Sequence, residues 1–118
     1  MWIERTEFGN ITIDGKTYDH DVVIRLSGKV GKRHKKLSKE KYGTSHIISK
    51  AEAKDVFEDG CVQLVVGTGR ADNVRLSPEA KEFFEKRGCQ VVLQATPDAV
   101  QTFNQSRERK IGLMHVTC

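Results

Sequence analysis

The chain has 118 residues, of which 37% are hydrophobic and 31% are charged, and its formal net charge is +4. This composition is that of one ordinary globular domain, residues 1–118, and it excludes a disordered or disulfide-stapled chain. No apolar run approaches the ~18 residues of a membrane span, and Met1–Arg5 lacks the layout of a signal peptide, so we expect a protein of the reducing cytoplasm.

Residues 1–42 are predicted to be mainly β-structure with one basic loop. Ile11 and Ile13 alternate with polar residues up to Asp14-Gly15, a pair typical of a hairpin turn. A second extended stretch, Tyr18–Leu26, follows this turn. We therefore expect short antiparallel strands here.

The basic loop is the segment Arg25–Lys41. It carries eight Lys and Arg side chains against the single acid Glu40, a formal charge of +7, so the rest of the chain carries −3. Such a span is either a nucleic-acid patch or a solvated loop. No aromatic residue lies between the lysines and no known DNA-binding motif surrounds them, so the solvated loop is favoured. The candidate patch comprises Lys32, Arg33, Lys35 and Lys36.

Residues 43–118 are predicted to form an α/β core, because buried strands alternate with capped helices. Ser49 followed by Glu52 is a capping box, and the Ser77-Pro78 pair is a typical helix start. The predicted elements are a helix from Ser49 to Gly60, a central strand over Cys61–Val66, a helix from Ser77 to Gly88, a strand over Gln90–Gln94, a helix opened by Thr96-Pro97, and a strand over Ile111–Thr117 that closes the sheet.

The candidate ligand site follows the central strand, at Gly67, Thr68, Gly69 and Arg70. Ligands of open α/β sheets bind beyond the carboxyl ends of the strands, and His46 is expected to reach the same cleft. The segment matches neither a dinucleotide fingerprint nor a P-loop. Two interpretations remain open: backbone amides and Arg70 receive an anion, or the glycines only make a tight turn.

No complete catalytic set and no metal-binding motif is present, so we expect no metal and no cofactor. The histidines lack the spacing of a zinc site, and no Ser-His-Asp or paired-carboxylate arrangement is recognisable. The three cysteines are Cys61, Cys89 and Cys118, an odd and widely spaced set that makes a poor disulfide framework. Cys61 and Cys89 open apolar runs and are predicted to be reduced and poorly reactive core residues, whereas Cys118 is expected to be labelled first.

Several short motifs in a fixed order make the chain similar to a known family. They are Phe8-Gly9, Ile13 with Gly15, Gly43-Thr44-Ser45-His46, Leu64–Gly69, Leu76-Ser77-Pro78-Glu79, Thr96 with Ala99, Phe103 and Asn104, and His115-Val116-Thr117-Cys118. The chain thus resembles a family of small domains of unknown molecular activity, which includes a mitochondrial complex I assembly factor and an adipogenesis-associated protein. The resemblance implies a three-layer α/β domain with a central mixed sheet of about five strands flanked by helices, plus a smaller β-layer from the amino-terminal half.

Three hypotheses for function follow. The first is a non-catalytic binding or assembly-accessory module whose partner is another protein. The alternative is a small-molecule or anion-binding protein, or an enzyme, that uses the Gly67–Arg70 loop. The weakest is nucleic-acid binding through Arg25–Lys41.

Overall fold

The computed structural model describes residues 2–117. Its strands are β1 (Ile3–Glu7), β2 (Asn10–Ile13), β3 (Lys16–Tyr18), β4 (Val22–Ile24), β5 (Val30–Lys32), β6 (Ile47–Ile48), β7 (Gln63–Thr68), β8 (Arg75–Leu76), β9 (Gln90–Gln94) and β10 (Lys110–His115). Its helices are α1 (Lys36–Tyr42), α2 (Lys50–Val56), α3 (Pro78–Lys86) and α4 (Thr96–Gln105).

A five-stranded mixed sheet, in the order β5-β4-β10-β7-β9, forms the middle layer. Strand β7 pairs in parallel with β10 and β9, whereas β4 is antiparallel to β10 and β5. One face packs against α2 and α3, and the other packs against α4 and the small β1-β2-β3 sheet. The predicted three-layer α/β architecture, with its smaller amino-terminal β-layer, is confirmed.

The position predicted for the last strand was wrong, because β10 lies in the middle of the sheet and does not close it. Strand β4, from the amino-terminal part of the chain, pairs with the far side of β10 and leaves β9 as the edge beside β7. The stretch Tyr18–Leu26 is likewise not one strand. Tyr18 ends β3, whereas all three residues of β4 are buried and require a sheet that is covered on both faces.

All three predicted helix starts are confirmed. The Ser49 hydroxyl accepts a hydrogen bond from the Glu52 amide, and the Ser77 hydroxyl accepts one from the Ala80 amide. Helix α4 begins with Thr96-Pro97 as predicted, but Thr96 is not its N-cap, because Ala95 holds that position and Thr96 is already helical. The Thr96 hydroxyl bonds elsewhere, to groups of the candidate site.

The basic segment Arg25–Lys41 is not a single loop, because it contains β5 and most of α1. Helix α1 ends at Gly43, whose φ of +71° allows the left-handed conformation of a helix C-cap. No described helix is long and apolar enough to cross a membrane.

Candidate functional site

The Gly67–Arg70 segment lies where β7 ends, as predicted. Gly67 is still within the strand, and a Cβ atom there would lie 2.8 Å from the Met114 Sδ and 2.9 Å from the Thr96 Oγ1. Gly69 has a φ of +93°, which favours glycine. Close packing therefore requires the first glycine, and the turn requires the second.

The backbone amides of this turn are bonded to the protein itself. The Gly69 amide donates to the Thr96 Oγ1 at 2.9 Å, and the Arg70 amide donates to the Thr117 carbonyl oxygen at 3.0 Å. The amides of residues 72–74 donate to carbonyl oxygens of Thr68 and Gly69. These five amides are thus occupied, which weakens the segment as an anion cradle.

The Arg70 side chain is exposed but anchored. Its Nη2 atom donates to the carbonyl oxygen of Thr6 at 2.8 Å, which ties the turn to β1. The Thr68 hydroxyl is fully buried and donates to the Asp72 carboxylate. Anion binding by this loop stays a prediction, and the contacts seen here are those of a structural turn.

His46 reaches the same end of the sheet through its neighbour His115. The two rings meet edge to face, with centroids 5.3 Å apart, and His115 lies opposite Thr68 in the β10–β7 register. Burial lowers the pKa of His46, and the nearby His115 and Arg33 lower it further. His46 is half-buried and lies beside a larger group of polar side chains to which His115 belongs.

That group, which we call the polar cluster, comprises Asp21, Arg33, Glu52 and His115, and it is centred on Arg33. The Arg33 side chain is completely buried; its Nε lies 2.6 Å from Glu52 Oε2 and its Nη1 lies 3.0 Å from Asp21 Oδ2. A further bond joins Nη2 to the carbonyl oxygen of Ser45 at 2.7 Å. Burial opposes the charge, but Glu52 and Asp21 raise the pKa of Arg33 above its usual value.

The burial of Arg33 corrects the predicted basic patch. Lys32, Lys35 and Lys36 are exposed, but Arg33 between them points inward. A single inward position in a run of basic residues has no sequence signal, because Arg and Lys are usually exposed unless an acid pairs with them. The three lysines line a shallow cavity of about 590 Å³.

Asp21 connects Arg33 to His115. Its Oδ2 lies 2.7 Å from the His115 Nδ1, and its Oδ1 accepts the Val116 amide at 2.9 Å. Burial alone would raise the pKa of Asp21, but these hydrogen bonds and the charges of His115 and Arg33 outweigh it and hold the pKa at about 2. Asp21 is therefore a buried carboxylate.

The cluster also brings together a hydroxyl, an imidazole and a carboxylate, which sequence analysis missed. The Thr117 Oγ1 lies 3.2 Å from His115 Nε2, on the side of the ring opposite Asp21. This order resembles that of a nucleophile relay, but His115 is only 3% exposed. Because Asp21 is 94 residues from His115 in the chain, only the fold could reveal this contact.

Internal hydrogen bonding accounts for the whole cluster. Glu52 accepts bonds from Arg33 and from the Ser38 hydroxyl, and within residues 2–117 every buried side-chain nitrogen or oxygen has a partner. The cluster joins β10, α1, α2 and the ends of β4 and β5. Within residues 2–117, no group of His, Cys, Asp and Glu side chains is suited to binding a metal ion.

The edge strand β9 differs sharply from this region. The Gln90 amide donates inward to the Val62 carbonyl oxygen at 3.0 Å, so alternation points the N–H and C=O groups of Val91 and Leu93 outward. Within the described residues, no strand pairs with that outer side. Leu93 is 44% exposed, and the strand carries no charge.

Solved structures of similar chains share this fold. PH1505, a conserved hypothetical protein from Pyrococcus horikoshii OT3, is 37% identical, superposes with a TM-score of 0.94, and the match covers 100% of both chains. The structure named MT938 is 27% identical with a TM-score of 0.82, covering 99% of this chain and 98% of that one. A Mth938-like domain from Bordetella pertussis shares the fold at 17% identity, with a TM-score of 0.66 and coverage of 98% and 85%.

The family is shown by a match that spans almost the whole chain. The protein-family model that matches residues 3–114 is described as "protein of unknown function (DUF498/DUF598)". The matched range contains the four described helices and the five-stranded sheet up to Met114, the residue before the last of β10. The chain belongs to this family of proteins of unknown function.

Proposed function

We propose that this protein is a non-catalytic binding module that receives an extended segment of another protein on the outer edge of β9. The observation that carries the proposal is an unpaired, uncharged edge of five residues in a chain that is 31% charged. Strand addition to such an edge supplies main-chain hydrogen bonds, and side-chain contacts select the partner.

The other edge of the same sheet shows how an edge is normally protected. Strand β5 has only three residues, its last residue is Lys32, and Lys29 precedes it. Short length and charged side chains discourage pairing with another chain. Strand β9 is longer, carries no charged side chain and contains no proline, so of the two edges it is the one suited to pairing with a partner strand.

The chemistry of the edge describes its occupant. A partner strand would pair with the outward backbone groups of Val91 and Leu93 and would place an apolar side chain against Leu93. It needs no charge at that position, since Gln90 and Gln94 flank the apolar residues. The resemblance to a family with a mitochondrial assembly factor agrees with a role in holding other proteins.

The other two hypotheses have weaker support. For the anion-binding loop, the backbone amides of residues 69, 70 and 72–74 already donate to oxygen atoms of the protein, so they are not free to hold an anion. The basic segment loses Arg33 to the interior, which leaves fewer cations for phosphate contacts.

Site-specific photocrosslinking in the native cell would test the proposal. A benzophenone amino acid at the exposed Gln90 should link the protein to a defined partner, whereas the same group at the exposed Lys32 on the β5 edge should not. Leu93→Pro removes the leucine side chain and an outward amide and should abolish the link, while Leu93→Ala removes only the side chain and should preserve part of it.

Two results would overturn the proposal. One is crosslinking from Gln90 that is unchanged by Leu93→Pro; the other is equal crosslinking from Lys32. If the linked protein is a second copy of this chain, and sedimentation shows a dimer that Leu93→Pro dissociates, the edge serves self-association and the proposed role in binding other proteins fails.

A further inference from the structure

Two cysteines that are far apart in sequence lie in contact in the core. The sulfur atoms of Cys61 and Cys89 are 3.6 Å apart, and each residue is only 4% exposed. Both thiols are free. The sequence predicts that both are small core residues, which their burial confirms, and the fold also brings them together as a pair.

The sheet register explains this contact. Cys61 lies two residues before β7 and Cys89 lies one residue before β9, and the two strands are parallel neighbours that begin with the pair Gln63 and Gln90. Neighbouring strands lie about 4.8 Å apart, which is compatible with the short Cα separations of disulfides. Bond formation requires the sulfur atoms to approach by about 1.5 Å.

The two thiols are chemically different. A hydrogen bond from Cys89 lowers the pKa of Cys61 to about 7, against the effect of burial, and the backbone at Gln63 and Ile111 contributes further. The same hydrogen bond, together with burial, raises the pKa of Cys89. Within the pair, Cys61 is therefore the thiol that ionises more readily and Cys89 the one that keeps its proton, the arrangement of an attacking and a resolving cysteine.

We propose that Cys61 and Cys89 are a redox site that closes reversibly into an intramolecular disulfide when hydrogen peroxide oxidises Cys61. The Cys61 thiolate attacks one peroxide oxygen, the O–O bond breaks, and hydroxide leaves, which gives a sulfenic acid. The Cys89 sulfur then attacks the Cys61 sulfur, the S–O bond breaks, and the Cys89 proton leaves with that oxygen as water. The peroxide receives both electrons, and an external thiol reductant reverses the reaction.

Formation of this disulfide would constrain the sheet at the start of two neighbouring strands. It would covalently join the segments just before β7 and β9, and so fix the edge strand to the interior strand. The inference does not depend on the function proposed for that edge, because it concerns only the two sulfur atoms.

The test uses the full chain with Cys118→Ser, which leaves only these two thiols. The folded protein is treated with hydrogen peroxide, remaining thiols are alkylated, and peptides are mapped without reduction. We expect a peptide pair linked through Cys61 and Cys89, recovery of both thiols with dithiothreitol, and linkage about tenfold slower in urea, where the fold no longer holds the sulfurs together.

Two single variants separate the roles of the cysteines. With Cys89→Ser, a dimedone adduct at Cys61 should increase about tenfold, because nothing resolves the sulfenic acid; with Cys61→Ser, the intramolecular link cannot form. The absence of a linked peptide from the folded protein would overturn the proposal, as would equal linkage rates in urea or an unchanged dimedone adduct in Cys89→Ser. The folded-versus-urea comparison needs neither single variant, so it decides the question even if a serine substitution prevents folding.

Discussion

The polar cluster and the β9 edge differ in whether their hydrogen-bonding groups have partners within the chain. In the cluster, Arg33 and Asp21 are buried and bonded on every side by other parts of the chain. On the edge, the outward backbone groups of Val91 and Leu93 have no strand partner among the described residues. The buried charged residues thus mark a structural junction, whereas the edge proposed to bind a partner is an ordinary apolar strand.

Removing Arg33 should have the largest effect on stability. Arg33→Met leaves the carboxylates of Asp21 and Glu52 buried without their cation, and we expect a loss of about 3–5 kcal/mol in the free energy of unfolding. The neighbouring Lys32→Met is the matched control, and it should change that free energy by less than about 0.5 kcal/mol because Lys32 is exposed. Urea titrations measure both, and equal losses would remove the contrast.

Acid should weaken the cluster through Asp21. Its pKa is lowered in the folded protein from 3.8 to about 2, so the stability it contributes is present above about pH 4 and is lost as the pH falls toward 2. The full contribution is roughly 2 kcal/mol.

Urea titrations of the parent and of Asp21→Asn between pH 7 and pH 2 isolate this effect from that of other carboxylates. The parent should be more stable at neutral pH, and the difference should shrink with acid. A difference that stays constant across this range would contradict the assignment of the lowered pKa to Asp21.

Replacing a glycine by alanine should destabilise the packed end of β7 but not the open edge strand β5. Gly67→Ala would place Cβ within 3 Å of Met114 and Thr96, so we expect it to lose about 1–3 kcal/mol. Gly31→Ala, in edge strand β5, meets no atom within 4 Å and should lie within about 0.5 kcal/mol of the parent or be slightly stabilising. Thermal unfolding would reveal whether the order is reversed.

The smallest effect on stability should come from the β9 edge. Leu93→Lys adds a charge at a site that is 44% exposed, and we expect a change below about 0.5 kcal/mol together with less aggregation on heating. Val66, opposite Leu93 in register, is fully buried, and Val66→Ala should lose about 1–3 kcal/mol. A large loss from Leu93→Lys would show that the edge is covered.

The sequence by itself determined the fold class and most local elements from Ser49 onward, but not β5 and α1 in the basic segment. Hydrophobic runs, the capping serines Ser49 and Ser77, and the glycines around residues 67–69 are signals that act over a few residues, and each marks a strand or a helix end in the structure. Thr96 shows where such signals fail, because its hydroxyl bonds to the Gly69 amide and to the His115 carbonyl oxygen, and not to its own helix.

Only the tertiary structure decided which residues meet. The placement of β10 between β4 and β7 brings Asp21 to His115 across 94 positions of sequence, and the same sheet places Cys61 against Cys89 across 28. The inward direction of Arg33 depends on acids from two other elements. Local patterns specify how a segment folds, but pairing between segments depends on burial of the whole core. That pairing decides which charged groups and which thiols lie in contact and which strand is left at the edge of the sheet.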